Sequence, residues 1–288
     1  METRATYGLS LPVLKIGQYP LPEKMIRTFI TRFDTILIAE EGYPVAEEYL
    51  RGIDGNPKLR GRLDGTLPRS GELDTDLIAQ ALGLNNHDTT PIPDIVTNRP
   101  PELCKGCGHR DMFNAINAAM QTEPHHQVFS DIGCYTLGAL PPFSAIHTCV
   151  DMGAAITMAK GASDAGMQPA VAVIGDSTFT HSGMTGLLDC VNDNNTVTII
   201  IADNDTTAMT GGQNSSATGR LQQLCRGLGV QEQHIRTLVP LKNNHDNNIR
   251  ILQEEFAHNG VSIVIFHREC IETAARKAKQ QLNETHKK

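Results

Sequence analysis

Tryptophan is absent from this 288-residue chain, and aromatic residues make up only 5% of it. The aromatic platforms on which single-stranded nucleic acids stack are therefore not expected. No apolar run approaches the roughly 18–20 residues of a membrane-spanning helix, and the N-terminal segment lacks the apolar core of a secretory signal. The net charge is −7 and there is no long basic block, which argues against nucleic acid or a membrane as partner.

Paired cysteines are also scarce. The chain has seven cysteines, an odd count, and without a secretory signal we expect reduced thiols and a cytoplasmic location. Cys104 and Cys107 form the single Cys-x-x-Cys pair of the sequence. A four-thiolate site needs a second pair, so we expect no iron–sulfur cluster and no structural zinc in this chain. Half of a metal site remains the alternative interpretation of this pair.

The hydrophobic and charged fractions, 40% and 20%, are typical of a globular protein with one large or two modest domains. Residues 99–288 alternate between helical and strand patterns, which predicts an α/β fold with a parallel sheet and helices on both faces. The predicted helices span residues 109–120, 154–165, 183–192, 219–227, 247–258 and 272–283. The predicted strands span residues 127–130, 170–174, 197–202 and 261–266.

Residues 1–98 are harder to interpret. A buried strand is predicted over 35–39, and helices over 45–51 and 73–82. The polar, proline-bearing segment 85–93 is predicted to be a linker. So few elements indicate only part of a domain.

Two apolar runs in the second region each end in polar side chains. Residues 171–174 lead into Gly175-Asp176-Ser177, and residues 197–202 lead into Asp203-Asn204. In a parallel sheet both strand ends lie on the carboxyl edge, where ligands bind. Asp176 and Asn204 can therefore share one cation, and oxygen ligands of low charge suit Mg²⁺. An ordinary strand–helix–strand unit with an aspartate in its turn is the alternative.

This spacing resembles the signature of thiamine diphosphate enzymes, and further motifs extend the likeness. They are RPPELCKGCGH at 99–109, SDIGCYTLG at 130–138, TCVDMGAA at 148–155 and TTAMTGGQ at 206–213. Together they resemble the diphosphate-binding domain of 2-oxoacid:ferredoxin oxidoreductases, nearest to the large subunit of the indolepyruvate enzymes. The segments 17–23, 39–41 and 60–65 resemble the same subunit. The likeness covers only the middle and C-terminal part of that subunit, and residues 1–98 resemble part of a transketolase C-terminal-like domain.

The resemblance implies a set of site residues. The side chains of Asp176 and Asn204 and the carbonyl of Thr206 would bind Mg²⁺, with a helix starting near Ser182 adding N–H groups toward the diphosphate. Catalytic candidates are Cys134 and His181. The residues implied in cofactor binding are Cys107, Gly108, His109, Asp131, Gly133, Cys134, Gly175, Asp176, Ser177, Asn204, Thr206, Met209 and Thr210.

Several of these residues allow a plainer interpretation. His109 can be an ordinary histidine at a helix start, and Cys134 a buried thiol in a tight glycine turn. His181 either faces the reacting carbonyl or only caps the following helix. The segment 209–213 is either a cofactor loop with glycines for close approach or a flexible surface loop.

The family's reaction is oxidative decarboxylation of a 2-oxoacid with coenzyme A, giving an acyl-CoA and passing electrons to ferredoxin. The likeness implies that other subunits supply the pyrimidine-binding domain, the smaller gamma-type domain and an iron–sulfur centre or ferredoxin, because the sequence shows none of these. An arylpyruvate substrate follows from the likeness alone. A non-redox decarboxylase or carboligase subunit and a non-catalytic cofactor-binding assembly subunit remain as alternatives.

Overall fold

The computed structural model describes residues 1–54, 58–84, 93–97, 99–123 and 126–285. The chain divides into two compact units, residues 1–98 and 99–288. The linker predicted over 85–93 lies, apart from Pro93, outside the described residues. Among the described helices, none combines the length and the apolar character needed to cross a lipid bilayer.

The first unit is a small α/β arrangement around one short parallel strand pair. The strand predicted over 35–39 is reduced to two residues, and the helix predicted over 73–82 starts at Thr75 because Asp74 accepts a 2.7 Å bond from the Leu77 N–H as its cap. The helices are α1 Glu2–Thr6, α2 Glu23–Ile30, α3 Val45–Asp54 and α4 Thr75–Ala81, and the strands are β1 Ile36–Leu37 and β2 Leu59–Arg60.

A buried polar network holds this unit together. Glu47 and Arg62 are only 1% and 3% exposed. The Arg62 N–H donates to Glu47 Oε2 at 2.8 Å, and Arg62 Nε donates to the carbonyl of Glu40 at 2.8 Å. The Glu40 carboxylate in turn accepts the N–H of Ala46 at the start of α3. Glu40 is therefore engaged in local structure.

The second unit contains the main sheet, whose six strands run in the order β4-β3-β5-β6-β10-β9 with every neighbouring pair parallel. Its helices are α5 Gly108–Met120, α6 Ala154–Asp164, α7 Asp176–Thr178, α8 Met184–Asn192, α9 Leu221–Gly227, α10 His245–Phe256 and α11 Ile271–Thr285. Its strands are β3 Gln127–Ser130, β4 Thr148–Cys149, β5 Ala170–Gly175, β6 Val197–Asp203, β7 Thr206–Thr207, β8 Gln213–Asn214, β9 Ile235–Leu238 and β10 Val261–His267.

Helices cover both faces of this sheet. Apolar residues of α5 and α10 pack on one face, and those of α6, α8 and α9 pack on the other. All positions of the central strands β5 and β6 are buried, which explains their continuous apolar runs. The predicted fold class, a parallel sheet with helices on both faces, is confirmed.

The two outer strands were missed from the sequence. β4 is only two residues long, and β9 has the sequence IRTL, with one fully buried position. Edge strands bury less surface than central ones, so neither leaves an apolar run to detect.

The strand order also locates a crevice. The chain leaves β3 toward β4 on one side, whereas from β5 it continues to β6 on the other. Connections that diverge in this way open a crevice at the carboxyl ends of the two strands, the usual ligand position in open α/β sheets. The ends of β3 and β5, and the neighbouring end of β6, therefore define the candidate site.

Gly138 follows β3, and the packing around it leaves no room for a methyl group. A Cβ atom there would lie 2.4 Å from the ring of Phe113, which is fully buried. We expect Gly138→Ala to lower the free energy of unfolding by about 2 kcal/mol, measured by urea denaturation.

Gly161→Ala is the matched control, because nothing lies within 4 Å of a Cβ at this position inside α6. This change should raise stability by about 0.5–1 kcal/mol. Equal stability of the two variants would contradict the packing described for Phe113.

Candidate functional site

Asp176 is the central residue of the crevice. β5 ends at Gly175, helix α7 starts directly with Asp176, and the pairing of Gly175 with Ala202 places this start beside the end of β6. The Asp176 side chain is buried, and among the described residues its Oδ2 atom has no hydrogen-bond partner. Burial raises its pKa to about 6, against the lowering effect of a bond from Ser215. A buried oxygen without a partner is unfavourable and suits a ligand.

The turn after β6 brings the other proposed metal ligands to the same place. Asn204 Oδ1 accepts the N–H of Thr206 at 3.2 Å. Ser177 and Thr207 join α7 to this turn through a 2.6 Å hydrogen bond between their hydroxyl oxygens, and α7 packs against both β6 and β7. Carboxylate, amide and carbonyl oxygens thus meet at one edge, and this donor set fits Mg²⁺.

Helix α8 starts at Met184, two residues from the expected start near Ser182. It continues a helical segment that begins at Asp176 and passes through a π-helical turn, Phe179–Gly183. Its free N–H groups therefore lie at the strand end itself. His181 lies inside this π-helical turn with an exposed ring, and its Nδ1 lies 3.0 Å from Ser182 Oγ. His181 therefore does not cap the helix, and its catalytic role stays a prediction.

Asp131 follows the end of β3 and is fully buried, and both of its carboxylate oxygens accept hydrogen bonds from other residues of the chain. Its Oδ1 accepts a hydrogen bond from the Tyr135 hydroxyl, and its Oδ2 accepts the Gly153 N–H at 2.9 Å. Burial raises the pKa of Asp131 to about 6, although both bonds stabilise the carboxylate. Asp131 thereby ties the end of β3 to the start of α6.

Tyr135 was not among the predicted site residues, yet its ring fills the crevice floor. A Cβ at Gly133 or at Gly175 would lie 2.2 or 2.5 Å from Tyr135 Cε1. These two glycines, predicted as cofactor contacts, therefore make room for the tyrosine ring. Glycines at the ends of two neighbouring strands were the available signal, but the sequence does not show which side chain occupies the space.

His109 is enclosed beside Tyr135. α5 begins at Gly108 with Cys107 as its N-cap, so the predicted helix start is correct within one residue. The rings of His109 and Tyr135 meet edge to face with centroids 6.4 Å apart. His109 is buried, neither ring nitrogen has a partner among the described residues, and burial lowers its pKa to about 4. A neutral imidazole held without partners is available to a ligand as donor or acceptor.

Gly108, like Gly133 and Gly175, lies too close to neighbouring side chains for a Cβ atom to fit without a shift. A Cβ there would lie 3.2 Å from atoms of both Arg268 and Pro240. The absence of a side chain lets the start of α5 approach the segment that follows β10.

The thiols that are scattered in sequence gather at this edge. Burial raises the pKa of both Cys107 and Cys134; Cys104 and Cys270 raise both further, and Cys107 also raises that of Cys134. Proximity of these four residues was not apparent from the sequence. Within the described part of the chain, the group whose possible ligand atoms all lie within 4.8 Å of one another is Asp203, Asp205 and His267, and it contains no cysteine.

The loop that carries Met209 and Thr210 has an ordered turn. Thr210 Oγ1 donates to Gln213 Oε1 at 2.8 Å, and Gln213 Nε2 donates back to the Thr210 carbonyl at 2.9 Å. Gly211 and Gly212 follow with φ of 127° and 77°, a region that glycine adopts without strain. Met209 is 67% exposed. The loop is structured and presents this side chain outward.

Comparison with known proteins agrees with this geometry. The family model of the thiamine pyrophosphate enzyme C-terminal TPP-binding domain matches residues 131–266. Residues 131–266 therefore form a TPP-binding domain of the thiamine pyrophosphate enzyme family. The family resemblance inferred from the motifs is confirmed.

Curated relatives extend the match beyond this domain. The chain is 34% identical to the indolepyruvate oxidoreductase subunit IorA of Methanothermobacter thermautotrophicus, over 92% of this chain and 46% of the relative. It is 31% identical to the subunit of the same name from Archaeoglobus fulgidus, over 93% of this chain and 46% of the relative. The chain thus spans about half the length of these relatives. A 2-oxoglutarate:ferredoxin oxidoreductase from Magnetococcus marinus has a TM-score of 0.49 and 17% identity, covering 66% of this chain and 75% of that one.

The burial of His109 predicts a specific acid sensitivity. Its folded-state pKa of about 4 lies below the ordinary 6.5, so the unfolded chain binds the proton more readily. The stability tied to neutral His109 is fully present above about pH 6.5 and is lost as pH falls toward 4, amounting to at most about 3 kcal/mol. We therefore expect a His109→Gln variant to lose less stability than the parent between pH 7 and pH 4, measured by urea denaturation.

His181→Gln removes an exposed histidine and should keep the parental pH dependence. If the free energy of unfolding of His109→Gln fell with pH as steeply as that of the parent, His109 would not be buried in the neutral form.

Proposed function

We propose that this chain is a subunit of a 2-oxoacid oxidoreductase that binds thiamine diphosphate together with Mg²⁺. The observation that carries the proposal is the buried, unpartnered Oδ2 of Asp176 beside the turn of Asn204 and Thr206. The matching of residues 131–266 to a TPP-binding domain supports the identity of the cofactor.

Different residues of the chain would bind the metal and the diphosphate. The side chains of Asp176 and Asn204 and the carbonyl of Thr206 would hold the metal, while N–H groups at the start of α5, near Cys107 and Gly108, would face the diphosphate. His109, kept neutral by burial, would offer a hydrogen bond to the ligand. When bound, thiamine diphosphate supplies the nucleophile and the electron store of the reaction.

The remaining predicted positions complete the proposal. Asp131 would orient the cofactor indirectly, through Tyr135, whose ring lies against Gly133 and Gly175. Cys134 would lie near the reacting end, as the family likeness implies. Further proposed contacts are those of Ser177, Met209, Thr210 and His181.

The substrate class follows from the relatives. Both are named indolepyruvate oxidoreductase subunits, so we propose an arylpyruvate such as indolepyruvate as the 2-oxoacid. Oxidative decarboxylation would form an acyl-CoA from coenzyme A and pass two electrons to ferredoxin or an iron–sulfur subunit. The chain covers 46% of the length of this relative. We therefore propose that some steps of the reaction depend on other polypeptide chains.

Exposed apolar side chains at the carboxyl edge support the proposal of a partner. Ile132, Val150 and Met152 are 42%, 60% and 40% exposed in the segments that follow β3 and β4. Several exposed apolar side chains beside a binding crevice are typical of a protein interface. We propose that this surface contacts the subunit that supplies the pyrimidine-binding domain, with a smaller gamma-type domain completing the complex.

Asp176→Ala tests the cofactor assignment. Without the carboxylate the metal and the diphosphate are poorly held, so thiamine diphosphate affinity in the presence of Mg²⁺ should fall at least about tenfold, or about 1.4 kcal/mol, by calorimetry. The ligand-free variant should be no less stable than the parent, because a buried group without a full set of partners is removed.

Asp189→Ala is the control, since its exposed carboxylate lies on α8, 3.7 Å from the Lys160 ammonium group. Unchanged affinity in a folded Asp176→Ala protein would refute the metal site.

The need for a partner is tested by turnover. We expect the isolated chain not to oxidise arylpyruvates, because positioning and proton transfer by the pyrimidine-binding domain that we assign to a partner supply many powers of ten in rate. The assay uses indolepyruvate, coenzyme A and a viologen dye, with the isolated chain and the reconstituted complex side by side.

Dye reduction by the isolated chain at the rate of the complex would contradict the partner requirement. Decarboxylation by the complex without dye reduction would instead identify a non-redox thiamine enzyme. Cofactor binding without turnover in any combination would indicate an assembly subunit.

A further inference from the structure

The last residue of β10 touches both neighbours of the proposed metal ligand Asn204. His267 pairs in register with Asp203 at the ends of β10 and β6. His267 Nδ1 lies 2.8 Å from Asp203 Oδ2, and His267 Nε2 lies 3.8 Å from Asp205 Oδ2. One imidazole ring thus bridges the residues that precede and follow Asn204.

The backbone of the same segment fixes the turn from the other side. The Arg268 N–H donates to the Asp203 carbonyl at 2.9 Å, and the Cys270 N–H donates to the Asn204 carbonyl at 3.1 Å. The chain therefore continues the contacts of β10 with β6 past the end of the sheet. Asn204 owes its position to residues that lie more than 60 positions further along the sequence.

The turn needs this support because its conformation is unfavourable by itself. Asp205 has a φ of 61°, in the left-handed region that non-glycine residues seldom adopt. Such a residue persists only where its surroundings hold it. Asp203 and Asp205 also carry like charges close together, and each raises the pKa of Asp176. Contacts of both carboxylates with one ring limit the positions that they can take.

We propose that His267 is a positioning residue, which bridges Asp203 and Asp205 and thereby holds Asn204 in the orientation that Mg²⁺ binding requires. The inference rests on the proposed function, since it concerns the metal of that same site. Groups that orient metal ligands commonly change metal affinity about 10- to 100-fold when they are removed.

Electrostatics and positioning predict opposite results for removal of this ring. Replacing histidine by a neutral residue leaves Asp203 and Asp205 uncompensated, so the local charge becomes more negative or stays the same. Charge alone would then strengthen the attraction of a cation or leave it unchanged. A loss of Mg²⁺-dependent affinity can therefore be assigned to lost geometry.

The experiment measures thiamine diphosphate binding to the full chain by calorimetry over a series of Mg²⁺ concentrations. For His267→Gln we expect the half-saturating Mg²⁺ concentration to rise about tenfold or more. His267→Arg should remain near the parent, because the planar guanidinium can reach both carboxylates. His245→Gln serves as the control, since His245 lines a separate cavity with Asp111 and Lys242.

A second measurement needs no cofactor. Hydrogen exchange of the Asp205 and Thr206 amides in the ligand-free protein should be faster in His267→Gln than in the control. Equal exchange, an unchanged Mg²⁺ requirement for His267→Gln, or equal losses for the Gln and Arg variants would overturn the proposal. If the parent chain bound no thiamine diphosphate, the proposed function would fail, and the exchange rates alone would decide whether His267 positions the turn.

Discussion

The site is organised around the carboxylate of Asp176 at the end of the buried strand β5, whose Oδ2 atom has no partner among the described residues. Its position is fixed by the core, because β5 lies between β3 and β6 and is buried on both faces. The strand cannot shift without disturbing the apolar packing on both faces of the main sheet. The fold therefore holds a polar group where protein partners do not fully satisfy it, which is unfavourable unless a ligand completes its bonding.

Packing around this carboxylate depends on Tyr135. Its ring occupies the space above Gly133 and Gly175, and its hydroxyl holds Asp131. One side chain thus connects the ends of β3 and β5 and forms one wall of the enclosure around His109. A side chain at either glycine would displace the ring, so both glycines are needed for the position of Tyr135.

The sequence predicted the central elements well because their signals are strong. β5 and β6 are continuous apolar runs ended by polar residues, and their pairing follows from the parallel arrangement. The edge strands β4 and β9 were missed because they bury little. The helix start at Asp176 was missed because Gly175-Asp176-Ser177 is typical of a turn, and only the structure shows that the π-helical turn at Phe179–Gly183 joins it to α8.

For the candidate site, the sequence located the strand ends but not the contacts that cross between distant segments. Tyr135 lies within the motif at 130–138, yet Gly175, its neighbour in space, is 40 positions further along the chain. His267 lies at the end of a predicted strand, but nothing in the sequence pairs it with Asp203. The gathering of Cys104, Cys107, Cys134 and Cys270 is likewise a consequence of topology, since three segments, the one before α5 and those after β3 and β10, meet at the same edge of the sheet.

Asp176 and His109 share a property that links binding to folding. Both are buried with nitrogen or oxygen atoms that lack partners among the described residues, and burial shifts both pKa values toward the neutral form. The free protein is therefore less stable than the same fold with these atoms satisfied. A ligand that bonds to both should stabilise the fold by RT ln(1 + [L]/Kd), and these particular atoms give up no hydrogen bond to the described residues when it binds. The crevice is preorganised in this respect at Asp176 and His109, whereas Asn204 Oδ1 already accepts the Thr206 N–H.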